Sequence, residues 1–275
     1  MKLKEKVALI TGSGRGLGQG IALAFAHEGA RVVVNGRDEN DLGATVEKIK
    51  SIGGEAIGVA ADISSSQAVR DMFAKIVEKY GTLDILVNNA AITPSSDAAR
   101  QARAGFLELM STPVPKRSLE VTKNLSDEEW NRLISVNLTG VFYCTREALK
   151  IMETKRHGKI INIASIAGVS GLSFHSPHYS ASKAGVVGFT RSVALEVIGG
   201  GVNVNCIACG GIATESWNAA FKAMGEETQK RQLQMIPAGR MGEIEEYAQV
   251  AVFLASDDAS YIVGQTINVN GGVVT

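Results

Sequence analysis

The stretch TGSGRGLG occupies residues 11–18, directly after an apolar run at residues 7–10 and before an apolar pattern of helical spacing at residues 21–25. Glycines let the backbone turn tightly and approach a pyrophosphate. The N-terminus of the following helix then offers free N–H groups and a positive dipole end. A glycine-rich turn without a ligand would carry the same residues. Its place between the first strand and the first helix of a strand-helix-strand unit favours a dinucleotide site.

Six further short apolar runs follow the first one, with helical patterns between them. The apolar residues are consecutive, as expected for strands that are covered on both faces. Between residues 69 and 80 the apolar side chains recur at steps of three and four, which predicts a helix. Such repeats predict an α/β fold with a doubly wound parallel sheet and helices on both faces. The predicted strands are residues 7–10, 32–34, 57–60, 85–87, 160–163, 202–207 and 266–269.

Size and charge restrict the classes of function. The 275 residues are 45% hydrophobic and 20% charged, without a linker, a repeat or a low-complexity tract, which predicts one domain over residues 1–275. The 28 basic and 28 acidic residues cancel, so no net field attracts nucleic acid or an anionic membrane. The sequence shows no signal-peptide pattern and no apolar run of transmembrane length. We therefore expect a soluble, cytoplasmic protein.

Three cysteines, Cys144, Cys206 and Cys209, are too few for a disulfide framework. Cys206 and Cys209 have the Cys-x-x-Cys spacing of a redox pair or of half a zinc site. The sequence has no second pair of this kind, its four histidines are scattered, and the pair ends an apolar strand. We therefore interpret the three cysteines as small buried hydrophobic residues, and we predict no metal site.

Residues 92–125 interrupt the regular alternation of strands and helices. The segment contains three prolines and a possible short helix at residues 98–110, and a connection of this length is usually functional or disordered. It leaves the carboxyl end of the fourth strand, where ligands bind in such sheets. We expect either an extra wall or lid beside the cleft or a solvated surface excursion. Its basic residues, which could meet an anionic substrate or a neighbouring subunit, are Arg100, Arg103, Lys116 and Arg117.

The next helix is predicted to begin with a capping box, with Ser126 as N-cap and Glu129 three residues later. Further along, residues 212–235 carry Trp217 and Phe221 among apolar residues of partly helical spacing. This segment suits a mobile lid over an apolar or amphipathic substrate. A helix face packed on the core explains the same residues equally well.

Tyr179 and Lys183 lie four residues apart in a segment with a helical pattern, so their side chains project from one face. A lysine ammonium beside a phenol favours the phenolate. Lowering the pKa of the phenol from about 10 to near 7 takes about 4 kcal/mol. The same spacing occurs on many helices where both side chains are simply solvated, so its meaning depends on the other motifs.

The glycine spacing together with Tyr-x-x-x-Lys resembles the short-chain dehydrogenase/reductase family. The resemblance covers nearly the whole chain, and the motifs occur in the family's order. It implies a single Rossmann-type domain with a seven-stranded sheet, assembled as a homotetramer or homodimer. The residues that carry it are Thr11, Gly12, Gly16, Gly18, Asp62, Asn88, Asn89, Ala90, Asn137, Ser165, Tyr179 and Lys183.

By this resemblance, the catalytic residues are Asn137, Ser165, Tyr179 and Lys183. Tyr179 would exchange a proton with the substrate oxygen and Ser165 would hydrogen-bond it. Lys183 would lower the pKa of Tyr179 and bind the nicotinamide ribose, and Asn137 would hold a water that links Lys183 to solvent. Singly, Ser165 could be a turn serine and Asn137 an ordinary helix asparagine. His175 and His178 could contact substrate, but we interpret them as loop histidines.

The resemblance also implies a set of cofactor-binding residues. The sequence departs from the family pattern at Cys209, where proline is usual, and at Ala91, where glycine is usual. Cys209 lacks the fixed φ of proline, which predicts a more mobile loop. The implied cofactor-binding residues are Gly12, Ser13, Arg15, Gly16, Leu17, Gly18, Arg37, Asp62, Ile63, Asn89, Ala90, Tyr179, Lys183, Gly210, Ile212 and Thr214.

The end of the second strand bears on the choice of nicotinamide. An acidic residue there accepts the ribose hydroxyls of NAD, whereas an arginine accommodates the 2′-phosphate of NADP. Gly36 stands where the acid is usual, Arg37 follows, and Arg15 lies in the glycine loop. This predicts NADP(H) as the preferred cofactor, and NAD(H) remains the alternative if Asp38 takes the role of the acid.

The sequence therefore predicts an NADP-dependent oxidoreductase for a carbonyl or secondary alcohol of a small or medium-sized, apolar or amphipathic substrate. A 3-oxoacyl carrier-protein reductase is one option within this class, although the long connection at residues 92–125 argues mildly against it. A non-catalytic NADP-binding or redox-sensing protein is the alternative from another class. The presence of both Tyr179 and Lys183 argues against that alternative.

Overall fold

Seven parallel strands form one sheet, in the order β3-β2-β1-β4-β5-β6-β7. The computed structural model describes residues 1–111 and 113–275. All seven predicted strands are confirmed, several of them longer by one or two residues at an end. Their bounds are β1 (Val7–Ile10), β2 (Arg31–Gly36), β3 (Glu55–Ala60), β4 (Ile85–Asn88), β5 (Gly158–Ser165), β6 (Val202–Cys209) and β7 (Thr266–Val269).

The strand order changes direction between β1 and β4, which pair in parallel with Ala8 opposite Ile85. In open α/β sheets the carboxyl ends of the strands at such a switch point border a crevice that binds ligands. The helices are α1 (Gly16–His27), α2 (Glu39–Ser51), α3 (Ser66–Tyr80), α4 (Asp97–Ser111), α5 (Val121–Asn124), α6 (Asp127–Ile134), α7 (Gly140–Met152), α8 (Pro177–Val197), α9 (Glu215–Lys222), α10 (Glu226–Gln234) and α11 (Ile244–Ala255).

Helices cover both faces of the sheet, as predicted. Successive side chains of a strand point to opposite faces, so Ala8 and Ile10 of β1 join one buried cluster and Val7 and Leu9 join another. The first cluster includes residues of α1, α2 and α11, and the second includes residues of α3, α7 and α8. The central strands are therefore buried on both sides, which is why their apolar residues are consecutive in the sequence.

Helix α3 shows how local sequence sets an element of this layer. Ser65 precedes it in extended conformation and accepts the N–H of Ala68 at 3.3 Å, and Gly81 ends it with a φ of 71°. The left-handed conformation at the helix end is cheap only for glycine. The buried side of the helix carries Met72 and Ile76, so the helix predicted from residues 69–80 is confirmed.

Between β4 and α6, the helix predicted at residues 98–110 is confirmed as α4, and the short helix α5 was not predicted. Ser126 is the N-cap of α6, with its Oγ accepting the N–H of Glu129 at 3.1 Å. The second hydrogen bond of a capping box, from the Ser126 N–H to the Glu129 side chain, is not formed, so this part of the prediction was wrong. The Glu129 carboxylate turns instead toward Ser96 and His178, at 3.5 Å and 3.7 Å.

The three cysteines are free and buried, which confirms their interpretation as small core residues. Across residues 1–111 and 113–275, none of the helices has the length and hydropathy needed to cross a membrane.

Candidate active site

The glycine loop forms a cradle at the carboxyl end of β1. Gly12 and Gly16 have φ angles of 64° and 58°, which suit glycine. A Cβ on Gly12 would lie 2.7 Å from the Cα of Ala90, and one on Gly18 would lie 2.3 Å from the Gly12 carbonyl oxygen. Arg15 is the N-cap of α1, and no side chain caps this end. A helix N-terminus without a side-chain cap and the close backbone approach fit a bound pyrophosphate.

The loop is fastened to the end of β4. The Asn89 amide nitrogen donates to the carbonyls of Thr11 and Gly12 at 2.9 and 3.0 Å, and the Thr11 hydroxyl accepts the N–H groups of Asn89 and Ala90 at 3.0 Å each. The Asn89 side chain therefore shapes the cradle. Its predicted contact with the ribose stays a prediction.

Ser13 faces the protein interior. Its hydroxyl donates to Ile10 at 2.7 Å and accepts the N–H of Asn35 at 3.1 Å, and its own N–H donates to the Asn35 carbonyl at 2.8 Å. Its hydroxyl and its N–H are both engaged within the protein, and its predicted contact with the cofactor stays a prediction. Its role is to join the loop to β2.

At the end of β2, the exposed Arg37 lies with its Nη1 4.0 Å from Oδ2 of Asp62, which follows β3. Burial opposes ionisation of Asp62. Hydrogen bonds from Ser64 and the charge of Arg37 outweigh it, so the pKa of this carboxyl lies below its usual value. Asp38 is the N-cap of α2 and accepts the N–H groups of Asn40 and Asp41 at 2.9 and 3.3 Å. Both bonds are accepted by Oδ1, and the alternative in which Asp38 holds the ribose of NAD stays a prediction.

The catalytic candidates meet at the carboxyl end of β5. Ser165 ends this strand, its Oγ accepts the N–H of Ala167 at 3.2 Å, and Tyr179 and Lys183 lie one turn apart near the start of α8. Lys183 is buried, and its Nζ donates to the Ile163 carbonyl at 2.8 Å. The same nitrogen lies 5.9 Å from the centroid of the Tyr179 ring. The structure therefore brings the three residues together as the motif order predicts.

The expected lowering of the Tyr179 pKa was wrong for this structure. Burial raises the pKa of Tyr179 to about 12, although hydrogen bonding with the Ser165 side chain acts in the opposite direction. Burial also lowers the pKa of Lys183 to about 8. Desolvation penalises the charged form of each group and is the largest cause of both shifts. The neutral phenol is thus a proton donor in this environment.

Asn137 lies in a π-helical segment, residues Ser135–Thr139, between α6 and α7. The sequence predicted an ordinary helix here, and such π segments are frequent at functional sites. The buried Asn137 side chain accepts the Ile92 N–H at 2.8 Å and donates to the Ile92 carbonyl at 2.9 Å. Its amide nitrogen also lies 3.4 Å from Oγ of Ser182 on α8. Asn137 therefore ties the end of β4 to the catalytic helix.

Gly210, Ile212 and Thr214 form the loop after β6. Ile212 makes an isolated parallel bridge with Gly242, and Thr214 caps α9 by accepting the N–H of Trp217 at 3.3 Å. A Cβ on Gly16 would lie 3.7 Å from Cγ2 of Thr214. The loop therefore reaches across the cleft to the glycine cradle, as the resemblance implies.

Two histidines precede Tyr179 and have different settings. His175 lies in a turn, as predicted, and burial, helped by the charge of Arg103, lowers its pKa to about 4. His178 is not a loop residue, because it is the second residue of α8 and is buried. Burial lowers its pKa despite the carboxylate of Glu129. Both imidazoles are therefore neutral at pH 7.

Helix α4 packs against the segment that leads to Tyr179, and its predicted role as a wall of the cleft stays a prediction. The Phe106 ring packs edge-on against Phe174 and tilted against His175, with centroid distances of 5.0 and 4.6 Å. The Arg103 guanidinium carbon lies 5.1 Å from the centroid of the Trp217 ring in α9. The segment at residues 92–125 is thus joined to residues 212–235, a pairing that the sequence did not reveal.

A buried polar chain beneath the site was also missed. The Asn88 amide nitrogen donates to Thr145 at 3.1 Å and to Asn162 at 2.8 Å, and Asn162 donates to Thr190 at 2.9 Å. This chain links β4, β5, α7 and α8 behind the catalytic residues. The available signal was the presence of asparagines inside strands that are otherwise apolar, because buried amides need hydrogen-bond partners.

Comparisons with known proteins agree with this geometry. The family model described as short chain dehydrogenase matches residues 6–225. The (2S)-[(R)-hydroxy(phenyl)methyl]succinyl-CoA dehydrogenase subunit BbsD of Thauera aromatica is 38% identical over 272 residues, which cover 99% of this chain and 98% of that protein. A 3-oxoacyl-[acyl-carrier-protein] reductase of Synechocystis is 40% identical over 275 residues, covering 99% of this chain and 98% of the relative.

A solved structure of a candidate gluconate dehydrogenase from Agrobacterium tumefaciens superposes with a TM-score of 0.85 at 32% identity. The match covers 99% of this chain and 97% of that one. The likeness therefore extends over the sheet, both helical layers and the segments that border the cleft.

Proposed function

The chain belongs to the short-chain dehydrogenase family, and on that premise we propose that it transfers a hydride between NADP(H) and a carbonyl or secondary alcohol of a small or medium-sized substrate. Membership makes it an oxidoreductase that acts on CH–OH groups. The observation that carries the proposed mechanism is the placement of Ser165, Tyr179 and Lys183 at the end of β5, beside the glycine cradle.

Tyr179 is the proposed acid in the direction of reduction. Its phenol, with a pKa of about 12, is protonated at neutral pH and can donate to the carbonyl oxygen. The Ser165 hydroxyl would donate a hydrogen bond to the same oxygen and stabilise the charge that develops there. When bound, the nicotinamide supplies the hydride, so the carbonyl carbon gains a hydride and the oxygen gains a proton, which yields an alcohol.

Lys183 and Asn137 act behind this pair in the proposal. The Lys183 ammonium would promote loss of the phenolic proton and bind the nicotinamide ribose. Asn137 keeps its side chain on the main chain of Ile92, so a water for proton resupply would be held by the main chain of the π-helical segment. These roles follow the family resemblance together with the observed contacts.

NADP(H) is the proposed cofactor. Arg37 is exposed at the end of β2, where a 2′-phosphate would lie, and Arg15 is exposed in the glycine loop. Gly36 supplies no carboxylate, and Asp38 is engaged as a helix cap. Two arginines without the acid favour a phosphate dianion over ribose hydroxyls.

The substrate is proposed to carry its oxo or hydroxyl group on an acid or acyl chain. The relatives' names mention a hydroxy(phenyl)methyl succinyl-CoA, a 3-oxoacyl carrier protein and gluconate. These names favour, as the second candidate within the same class, a reductase of 3-oxoacyl groups attached to a carrier. Aromatic side chains on α4 and α9 suit a substrate with an apolar portion.

A homotetramer or homodimer in the cytoplasm completes the proposal. The exposed apolar side chains of Phe142 on α7 and Leu195 on α8, which are 41% and 75% exposed, suit burial against a second copy.

The test is a screen of ketones and alcohols with NADPH, NADH and their oxidised forms, followed by the absorbance of the reduced nicotinamide. We expect turnover with NADP(H), and we expect Tyr179→Phe to abolish it while leaving the dissociation constant of NADPH unchanged. Full activity in Tyr179→Phe would overturn the mechanism. Tight NADPH binding without turnover of any substrate would favour the non-catalytic alternative.

A further inference from the structure

Helix α4 places one arginine differently from its other basic neighbours. In the described part of residues 92–125, Arg100 pairs with Asp97, Arg117 pairs with Glu108 at 2.6 Å, and Lys123 pairs with Glu120 at 2.7 Å. Lys116 donates to the main-chain carbonyl of Leu109 at 3.0 Å. Within the same residues Arg103 forms no ion pair, and its neighbour is the face of the Trp217 ring.

The position of Arg103 is set by both walls of the cleft. It lies one helical turn before Phe106, on the side of α4 that meets His175, and His175 is four residues before Tyr179. On the opposite wall, Trp217 follows the loop that reaches the glycine cradle. Arg103 therefore spans the space between the loop that leads to the catalytic tyrosine and the proposed lid.

The guanidinium is poised to bind an anion. Its side chain is exposed, so a ligand can reach it, yet packing desolvates the group enough to lower its pKa from the usual value. The guanidinium carbon lies over the Trp217 ring, and this contact with the ring does not use all five N–H donors of the guanidinium. These form a planar fork that matches carboxylate or phosphate oxygens.

From this arrangement we propose that Arg103 is a specificity-determining residue that binds an anionic oxygen group of the substrate between α4 and α9, with Trp217 holding the guanidinium in place. The proposal deepens the proposed function, on which it rests for the identity of the cleft. The anionic group is a carboxylate on the substrate or a phosphate ester of a carrier arm, and both present the same oxygen geometry to the fork.

Trp217 provides a direct readout of binding, because the chain has two tryptophans and the other, Trp130, can be replaced. In a Trp130→Phe background, Trp217 emission is titrated with butanoate, ethyl phosphate and the neutral butanamide. Saturating NADP⁺ is present, so that the glycine cradle does not take up the anions. Two further variants are made in the Trp130→Phe background. One carries Arg103→Gln, and the other carries Arg100→Gln, one helical turn away, as the matched control.

We expect a saturable change in emission with butanoate, ethyl phosphate or both, and no change with butanamide. The responding anion identifies the group as a carboxylate or a phosphate. The apparent affinity should fall by about 10- to 100-fold in Arg103→Gln, as for the loss of a charged hydrogen bond, and should stay unchanged in Arg100→Gln. The proposal would be overturned if the titration curves of Arg103→Gln and of the protein with Arg103 coincide. It would also be overturned if the anions produce no change in emission, or if butanamide produces an equal change.

A kinetic arm separates this proposal from the proposed function. The ratio of kcat/KM for acetoacetate to kcat/KM for its methyl ester should exceed one and should fall by about tenfold or more in Arg103→Gln, with NADPH affinity unchanged. If neither ketone is reduced but the titration depends on Arg103, the anion site stands and the reaction must be revised. If the ketones are reduced with the same ratio in both proteins, the anion site is rejected and the reductase stands.

Discussion

Lys183 and Tyr179 share one face of α8, with the lysine Nζ 5.9 Å from the centroid of the tyrosine ring, and the lysine donates its hydrogen bond to the Ile163 carbonyl at 2.8 Å. The lysine is thus held by the strand β5 and not by the phenol. Burial works against both charged forms and separates the two pKa values, to about 8 for Lys183 and about 12 for Tyr179. The pair therefore consists of a neutral phenol and an ammonium group that loses its proton near pH 8.

Burial of Lys183 should make the stability of the protein depend on pH between about 8 and 10.5. Its folded pKa of about 8 lies below the ordinary value of 10.5, so between these pH values the unfolded chain binds more protons and stability rises with pH. Between pH 7 and pH 9.5 we expect the free energy of unfolding of the wild type to rise by about 2 kcal/mol relative to Lys183→Met. Urea unfolding of both proteins at each pH measures the difference.

The substitution removes this titration but leaves the other groups in place, so subtracting the two curves isolates the contribution of Lys183. A parallel pH dependence in both proteins would show that Lys183 titrates near its ordinary pKa, and would contradict the effect of burial.

The pH dependence of ketone reduction should also reflect the ionisation of Lys183. Below about pH 8 Lys183 is charged and can assist loss of the phenolic proton, whereas Tyr179 stays protonated until about pH 12. We expect kcat/KM for the ketone to be level from pH 6 to near 8 and to fall above it with the slope of one proton. Initial rates with saturating NADPH measure the profile, and NADPH binding over the same range is the control. A level profile up to pH 10 would contradict the assignment.

The strands and the nucleotide cradle could be predicted because their causes are local. Strands buried on both faces need consecutive apolar residues, as at residues 7–10 and 85–87. The positive φ angles of Gly12 and Gly16 require glycine. The order of the catalytic motifs then placed Ser165 and Tyr179 correctly beside the same strand end.

The remaining features depend on contacts between distant segments. The π-helical turn at Asn137 is stabilised by the main chain of Ile92, 45 residues away, and nothing in the sequence of the helix itself signals it. Arg103 meets Trp217 only after the chain has passed through two further strands, β5 and β6, and the four helices α5 to α8. The spacing of Tyr179 and Lys183 gave their shared face but not their burial, so the predicted direction of the phenol pKa was wrong.

Cofactor preference should depend on Arg37 and not on Asp38. Replacing Arg37 by Gln removes a charged contact to the 2′-phosphate, so kcat/KM with NADPH should fall by about 10- to 100-fold while that with NADH changes little. Asp38→Ser keeps a side chain able to cap α2 and removes the carboxylate. We expect this variant to leave both specificity constants unchanged. Selective loss of NADH activity in Asp38→Ser would show instead that Asp38 holds the ribose.

Asn137 should matter for stability as well as for turnover. Asn137→Ala leaves the N–H and the carbonyl of Ile92 without their buried partner, which should cost on the order of 2 kcal/mol or more. Denaturant unfolding and initial rates are compared with Asn131→Ala, an exposed residue of the preceding helix turn. Equal stability in the two variants would show that water replaces the amide at Ile92, and that the clasp between β4 and α8 is weak.

We expect helix α4 to contribute to substrate binding more than to the chemical step. Phe106 is 7% exposed and packs against Phe174 and His175, in the loop that leads to Tyr179. Phe106→Ala removes the ring that positions this loop. We expect KM for the ketone to rise roughly tenfold, which corresponds to about 1.4 kcal/mol, with little change in kcat or in NADPH affinity.

Met110→Ala is the matched control for that substitution, because Met110 lies one turn further along α4 and is 42% exposed. Its kinetics should equal those of the wild type. A solvated surface excursion would give the same constants for both variants, because neither side chain would then touch the cleft. If Phe106→Ala lowers kcat alone, its effect reaches Tyr179 through His175. Helix α4 would then position the catalytic helix and would not bind the substrate.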